Sequence, residues 1–271
     1  MLDIWRAVIL GVVEGLTEFL PVSSTGHMIL VMPWIGVADD DKFWNDVFNF
    51  FIQSGAILAV VIFFWRRLWG LTFHPGEKKW HEHILFKLFV AMLPAGVLGV
   101  LFDDFMKEKL MTPSVVACAL IVGGVAIIAI EKFVRHPRMT DAGLIPLWVA
   151  FLIGLIQCLA MIPGTSRSGA TIMGALVLGL TPAAAAEFSF FLAIPTLVGA
   201  SALSLLKGLD KIESGQYVPL AVGFVVSFIV AWLVVKMFMR FIQHHRFTSF
   251  AIYRVVLGAV VLVYLCSGRF G

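Results

Sequence analysis

Glu14–Gly15–Leu16–Thr17–Glu18–Phe19–Leu20–Pro21–Val22–Ser23–Ser24–Thr25–Gly26–His27 interrupts apolar sequence with two acids, four hydroxyls and an imidazole. About half a chain later Pro163–Gly164–Thr165–Ser166–Arg167–Ser168–Gly169 does the same with a guanidinium. Charged and hydroxylated side chains are costly in a membrane interior, so a chain that keeps them there uses them. The two clusters together suit work on a phosphorylated substrate.

The surroundings establish the membrane. Of the 271 residues 60% are hydrophobic and 14% charged, and the mean hydropathy is +0.97, well outside the soluble globular range. No polar stretch is long enough for a separate soluble domain, so residues 1–271 read as one polytopic membrane domain with halves of approximately 1–138 and 139–271. The net charge of +3 matters less than where the basic residues lie, and nothing in the sequence points to nucleic acid. Cys118, Cys158 and Cys266 all fall in apolar segments and read as buried small hydrophobes rather than a disulfide or metal framework. The first apolar stretch contains Glu14 and Glu18 and lacks a small-residue cleavage site, so no cleavable signal peptide is expected.

Six segments are long and apolar enough to span a bilayer: Phe48–Trp65, Ile84–Phe102, Val115–Ile130, Phe188–Leu206, Val218–Phe241 and Phe250–Cys266. Two more, around 4–37 and 146–180, are broken by Pro, Gly and Ser/Thr. Such breaks expose backbone amides and are tolerated only against protein or a wet cavity, so both read as re-entrant helix–loop–helix hairpins. New helices are expected from Met28 and from Ala170. The loops with Arg66, Arg67, Lys78 and Lys79, with Lys132, Arg135 and Arg138, and with Lys236, Arg240 and Arg246 are basic and read as cytoplasmic; those with Asp39–Asp41 and Asp46, with Asp103–Lys109, and with Lys207–Glu213 read as external. His74, His81, His83, His136, His244 and His245 fall in the basic loops and read as solvated. Counting spans then brings the first hairpin in from outside and the second from the cytoplasm.

An internal repeat agrees. Gly11, Leu16, Ser23 and Gly26 pair with Gly154, Leu159, Ser166 and Gly169 at one offset, and Glu14 pairs with Gln157. The expected fold is therefore an all-α integral membrane protein, an inverted-topology repeat of six transmembrane spans plus two re-entrant hairpins. Its binding site is expected where the broken helices meet near the midplane.

Glu14 and Glu18 share a helical face with Cβ atoms about 5–6 Å apart. Two carboxylates there repel by ~3 kcal/mol at an effective dielectric of about 20. A shared proton, a divalent cation or an arginine must compensate. Helix N-termini after the breaks favour bound phosphate. Arg167 is the only basic residue apart from His27 in either break; it suits a bidentate grip on phosphate and equally a counter-ion to Glu14 or Glu18. Ser24 and His27 suggest nucleophile and base, although a lone histidine in such a loop is as often structural. Ser23, Ser166 and Ser168 suit helix caps or phosphate donors. Asn49 and Gln53 are polar within a span and suit a cavity lining; Glu187 suits a helix N-terminus.

These residues resemble the two signature motifs of the undecaprenyl pyrophosphate phosphatase family, also called the bacitracin-resistance family. The resemblance extends through Ile52–Gln53, Arg66–Arg67, Pro94, Gln157–Cys158, Glu187–Phe188–Ser189–Phe190 and Phe250–Ala251–Ile252–Tyr253–Arg254, essentially the whole chain. It implies a multi-pass hydrolase of the bacterial cytoplasmic membrane. Its site would open to the outer face, and it would remove the terminal phosphate of undecaprenyl pyrophosphate to recycle the lipid carrier of peptidoglycan synthesis; overexpression would confer bacitracin resistance. It also implies a divalent cation, Mg²⁺ or Ca²⁺, at Glu14 and Glu18, with Glu18, Ser24, His27 and Arg167 catalytic. Ser23, Thr25, Gly26, Gly164, Ser166, Ser168 and Thr171 would bind substrate. Membrane lipids are the other expected partners, and a homodimer is compatible with this inventory. Asn49 departs from the family pattern, which has an acid there, and Ser54 stands where leucine is usual.

The expected mechanism is in-line attack by Ser24, deprotonated by Glu18 or His27, on a phosphoryl group held by Arg167, the cation and the helix N-termini; water, or His27, is the alternative nucleophile. The competing class is a secondary transporter or lipid flippase, since inverted repeats with broken helices serve transport as well. A carboxylate pair, hydroxyl and arginine together exceed what binding needs and favour hydrolysis. The chain also lacks the K-x₆-R-P and S-R-x₅-H pattern of the other large class of lipid phosphatases.

Overall fold

A computed structural model describes residues 2–38, 41–73, 79–134, 137–208 and 212–267. Asp39, Asp40, His74, Lys78, Arg135, His136 and residues 209–211, which enter the loop-charge argument, lie outside them. Eleven α-helices follow one another among the described residues: α1 (Leu2–Thr17), α2 (Ser24–Val31), α3 (Asn49–Phe63), α4 (Trp65–Phe73), α5 (Ile84–Lys109), α6 (Pro113–Phe133), α7 (Leu147–Gln157), α8 (Arg167–Val177), α9 (Pro182–Gly208), α10 (Tyr217–Phe241) and α11 (Thr248–Cys266). A π-helical segment, Phe43–Phe48, leads into α3.

Six of these helical stretches are long and apolar enough to cross a membrane: Phe43–Phe63, Ile84–Phe102, Pro113–Phe133, Pro182–Leu206, Ser214–Phe241 and Thr248–Cys266. They agree with the expected spans to within a few residues at most ends. The fourth starts earlier, at Pro182, because proline is favoured in a first helical turn and the alanines after it are strong helix formers. Glu187 therefore lies inside α9 and not at its start. Its carboxylate accepts a hydrogen bond from Arg67 Nε at 2.8 Å, and Arg67 also pairs with Asp141. This ion cluster ties the first turn of α4 to the loop before α7 and to the second turn of α9.

Helices pack closely through small residues, α10 running parallel to α1 and α3 and α11 antiparallel to α6. α1 lies against α10, α10 against α3, α6 against α11, and α5 against α7. The closest approach is at Gly154 on α7, where a Cβ would stand 2.0 Å from the carbonyl oxygen of Ala91 on α5. Burial of rings contributes the rest: Phe19, Phe188, Phe190, Phe191, Phe238 and Phe247 are buried in one apolar cluster, with Phe19 and Phe190 edge to face at 5.2 Å. A second cluster holds Ala7, Leu10, Met28, Met32, Trp44 and Phe48. Glu14 sits on α1 between Leu10 of the second cluster and Phe19 of the first, which follows the end of α1.

The outward faces remain apolar. Val100, Val122, Val125, Met237, Val260 and Val263 are exposed on long helices, a distribution that water would penalise and lipid does not. This corrects one expectation. Cys118 and Cys266 are exposed and Cys158 is half-buried, so they are not core residues. An apolar segment of a membrane protein faces lipid as readily as protein, and hydropathy cannot separate the two.

The order of elements repeats. A helix, a break and a second helix (α1–α2) precede the long helices α3, α5 and α6; α7–α8 precede α9, α10 and α11. The helices after the breaks begin at Ser24 and Arg167, three residues before the expected starts at Met28 and Ala170 in the second case and four in the first. The serines, threonine and arginine that read as loop thus form first turns.

Gly154→Ala should force α5 and α7 apart and cost about 1–3 kcal/mol. A clear fall in the detergent thermal-unfolding midpoint is expected, whereas Gly96→Ala, with nothing near its Cβ position, should leave the midpoint unchanged or raise it. An unshifted Gly154→Ala protein would show the contact to be unimportant.

Candidate active site

Both breaks are built on the same local plan. Ser23 and Ser166 each have φ 74°, in the left-handed region, and they are the non-glycine residues with positive φ among those described. Each then caps a helix. Ser23 Oγ accepts from the Gly26 amide at 3.2 Å, and Ser166 Oγ accepts from the Gly169 amide at 3.0 Å. The residue immediately after each cap is the first of its helix: Ser24 on α2 and Arg167 on α8. Ser24 and Arg167, the candidate nucleophile and the candidate phosphate-binding cation, therefore occupy equivalent positions.

Glu18 joins them. It sits just past the end of α1, 6% exposed, with its amide on the Glu14 carbonyl at 3.0 Å. Arg167 Nη2 donates to Glu18 Oε1 at 2.9 Å, and Ser24 Oγ donates to Glu18 Oε2 in a very short contact. One carboxylate thus links a hydroxyl from the first break to a guanidinium 149 residues away. Arg167 Nη1 donates to the Ser189 carbonyl at 3.0 Å, and its Cζ lies 5.7 Å from the centre of the Phe19 ring. Its Nε–H is buried without a partner. An unsatisfied guanidinium N–H costs free energy in a dry site, and an anion would satisfy it.

Glu14, one turn before Glu18 and 1% exposed, has Oε1 buried with no partner. A hard divalent cation takes oxygen ligands, often one or two carboxylates completed by phosphate oxygens and water. Glu14 and Glu18 fit that requirement. No group of three or more His, Cys, Asp or Glu forms a cage among the described residues, so most ligands would come from substrate and solvent.

His27 is placed differently from a base for Ser24. Its Nδ1 lies 2.7 Å from the Ser23 carbonyl, which can only accept, so Nδ1 carries a proton. Its Nε2 lies 2.7 Å from the Tyr253 hydroxyl, and the two rings stack with an interplanar angle of 4°. Both ring nitrogens are engaged away from Ser24, whose hydroxyl is on Glu18.

The remaining candidates hold the frame. Ser168 Oγ donates to the Leu20 carbonyl at 2.7 Å, fastening α8 to the first break, and lies 3.1 Å from Ser166 Oγ. Thr171 Oγ1 donates to the Arg167 carbonyl at 2.9 Å and pairs with Ser189 Oγ at 2.6 Å. Gly164 has φ 92°, and a Cβ there would collide with the Val116 backbone of α6 at 2.6 Å. Gly26 faces the Ser23 cap and Val116. Thr25 is exposed in the first turn of α2. Asn49 donates to the Asn45 carbonyl at 3.3 Å and lies 3.8 Å from Met32 Sδ, leaving Oδ1 buried and unpartnered; Gln53 Oε1 is also unpartnered.

Sequence reasoning assigned no role to Tyr253, Arg254 or Ser189. Their only signal was membership in stretches that carry the family likeness. Behind the second break an apolar groove of about 670 Å³ runs between α6 and α8, reaching Thr165, Gly169 and Arg254.

Comparison with known proteins adds a name to this arrangement. Residues 7–260 match the family model for bacitracin resistance protein BacA. The chain is 47% identical over 266 residues to undecaprenyl-diphosphatase 1 of Clostridioides difficile (strain 630), covering 97% of both chains. It is 45% identical over 259 residues to the undecaprenyl-diphosphatase of Parvibaculum lavamentivorans, covering 96% of both. With that of Polaromonas naphthalenivorans it shares 47% over 268 residues, covering 97% of this chain and 95% of the other. On these grounds the chain belongs to the BacA bacitracin-resistance family.

Proposed function

We propose that this protein is an undecaprenyl-diphosphatase: it hydrolyses the terminal phosphate of undecaprenyl pyrophosphate, giving undecaprenyl phosphate and inorganic phosphate. The observation that carries this reading is the Glu18 carboxylate shared between Ser24 and Arg167. A transporter needs to grip an anion, but it has no use for a hydroxyl hydrogen-bonded to a buried base. The family relationship supports the same substrate, and the apolar groove beside the second break suits hydrocarbon. The inner membrane and an outward-opening site are carried over from the family resemblance, while the basic-loop pattern, read by the positive-inside rule, orients the spans.

In this reading Arg167, through its unpartnered Nε–H and its terminal nitrogens, holds the terminal phosphoryl group. Backbone amides at the starts of α2 and α8 add donors. Ser24 Oγ gives its proton to Glu18 and forms a bond to phosphorus while the bond to the bridging oxygen breaks, releasing undecaprenyl phosphate. Water then attacks the phosphoserine, restoring Ser24 and freeing phosphate. Glu14 and Glu18 would hold Mg²⁺ or Ca²⁺, which when bound neutralises pyrophosphate charge. Positioning and charge neutralisation supply most of the acceleration in phosphoryl transfer. His27, bonded to Ser23 and Tyr253, orients the start of α2 instead of deprotonating Ser24.

Phosphate release from a polyprenyl pyrophosphate by detergent-purified protein tests the reading. Ser24→Ala and Arg167→Ala should each lose on the order of 10²–10³-fold in kcat. Arg167→Lys should remain strongly impaired, because an ammonium cannot span Glu18, the Ser189 carbonyl and a phosphate together. Ser24→Ala turning over at the wild-type rate would remove Ser24 as nucleophile.

EDTA should abolish turnover, and added Mg²⁺ or Ca²⁺ should restore it. Full activity in excess chelator would eliminate the cation role of Glu14 and Glu18.

A further inference from the structure

Arg254, on α11, is the largest fully buried side chain and has 0% exposure. A guanidinium carries five N–H donors, and here all five go to backbone carbonyls. Nη1 donates to Pro21 at 3.0 Å and Thr165 at 2.9 Å. Nη2 donates to Gly164 at 3.0 Å and Ala119 at 3.1 Å, and Nε donates to Leu120 at 3.3 Å. Pro21 belongs to the first break, Gly164 and Thr165 to the second, and Ala119 and Leu120 to α6. No carboxylate is among these partners. The surrounding chain makes room for this head group: at Gly123 a Cβ would lie 2.1 Å from Arg254 Nη2 and 2.8 Å from its Cζ.

Breaking a helix inside a membrane frees carbonyls that lipid cannot satisfy. Arg254 satisfies them in both breaks with one planar group. The three break carbonyls it holds lie within two residues of Ser23 or Ser166, whose left-handed backbones are strained and persist only when their surroundings over-determine them. Those two serines set where Ser24 and Arg167 begin their helices.

We propose that Arg254 is a positioning residue that fixes the two breaks relative to each other, and so sets the register between Ser24, Glu18 and Arg167. Its charge, offset by no acid among its own partners, also favours the anion bound in front of it. This rests on the hydrolase reading only for its turnover readout, since pyrophosphate binding reports on the same pocket without catalysis.

The experiment uses full-length Arg254→Lys and Gly123→Ala in detergent, with Gly96→Ala as control. Lysine keeps the charge but offers three donors on a flexible stem, and Gly123→Ala displaces the guanidinium without altering it. Both should lose at least tenfold in kcat per folded molecule. Both should also lose at least half of the upward thermal shift that inorganic pyrophosphate with Mg²⁺ gives the wild type. A residue that merely held the fold together would lower the unfolding midpoint of the free protein while leaving kcat of the folded fraction intact. Wild-type kcat and pyrophosphate shift in either variant, or failure of both to fold, would overturn the positioning role. A wild type that shows the Arg254-dependent shift but releases no phosphate would refute the hydrolase reading and leave this inference standing.

Discussion

The arrangement depends on one buried carboxylate serving two partners. Glu18, itself buried, accepts from Ser24 on one oxygen and from Arg167 on the other. Burying a carboxylate is expensive unless it is paired and hydrogen-bonded, and breaking such a pair leaves an uncompensated charge. That requirement couples the two halves of the chain, because neither break alone supplies both partners. It also answers the repulsion expected between Glu14 and Glu18: of the three compensations open to the pair, Arg167 is built into the protein. Glu14 retains an unpartnered oxygen for a ligand.

Convergence of the breaks has its own demand, set by the solvent. In lipid each interrupted helix must have its freed amides and carbonyls met by protein. The hydroxyls of Ser23 and Ser166 meet amides, Ser168 meets the Leu20 carbonyl, and Arg254 meets three carbonyls of the breaks. The polar residues in these segments consequently divide into a frame that satisfies backbone and a smaller group that faces the reaction in the proposed mechanism. Ser24, Glu18, Glu14 and Arg167 form the second group, while Ser23, Ser166, Ser168 and Thr171 hold the first together.

Much of this was legible from residue types in their order. Charges inside apolar runs marked both breaks, and hydropathy located the six long helices because a bilayer imposes a minimum apolar length. The repeat offset that paired Ser23 with Ser166 corresponds to two backbones of equal φ. Helix starts were misjudged because Ser24–His27 and Arg167–Gly169 have loop-like composition, whereas cap hydrogen bonds and amide satisfaction make them first turns. Cysteine burial was misjudged because lipid and core look alike to hydropathy. Tyr253 and Arg254 could not be tied to the site by spacing, for their partners lie 226 and up to 233 residues away and are mostly backbone atoms. A carbonyl has no residue identity to betray the contact.

A structure of the protein with Mg²⁺ and a methylene-bridged, non-hydrolysable prenyl pyrophosphate analogue tests the central claim most directly. The account predicts the terminal phosphoryl group between Ser24 Oγ and the Arg167 guanidinium, with Glu18 still hydrogen-bonded to Ser24. A phosphoryl group bound away from that gap, with Ser24 and Arg167 linked only through Glu18 as in the free protein, would contradict it.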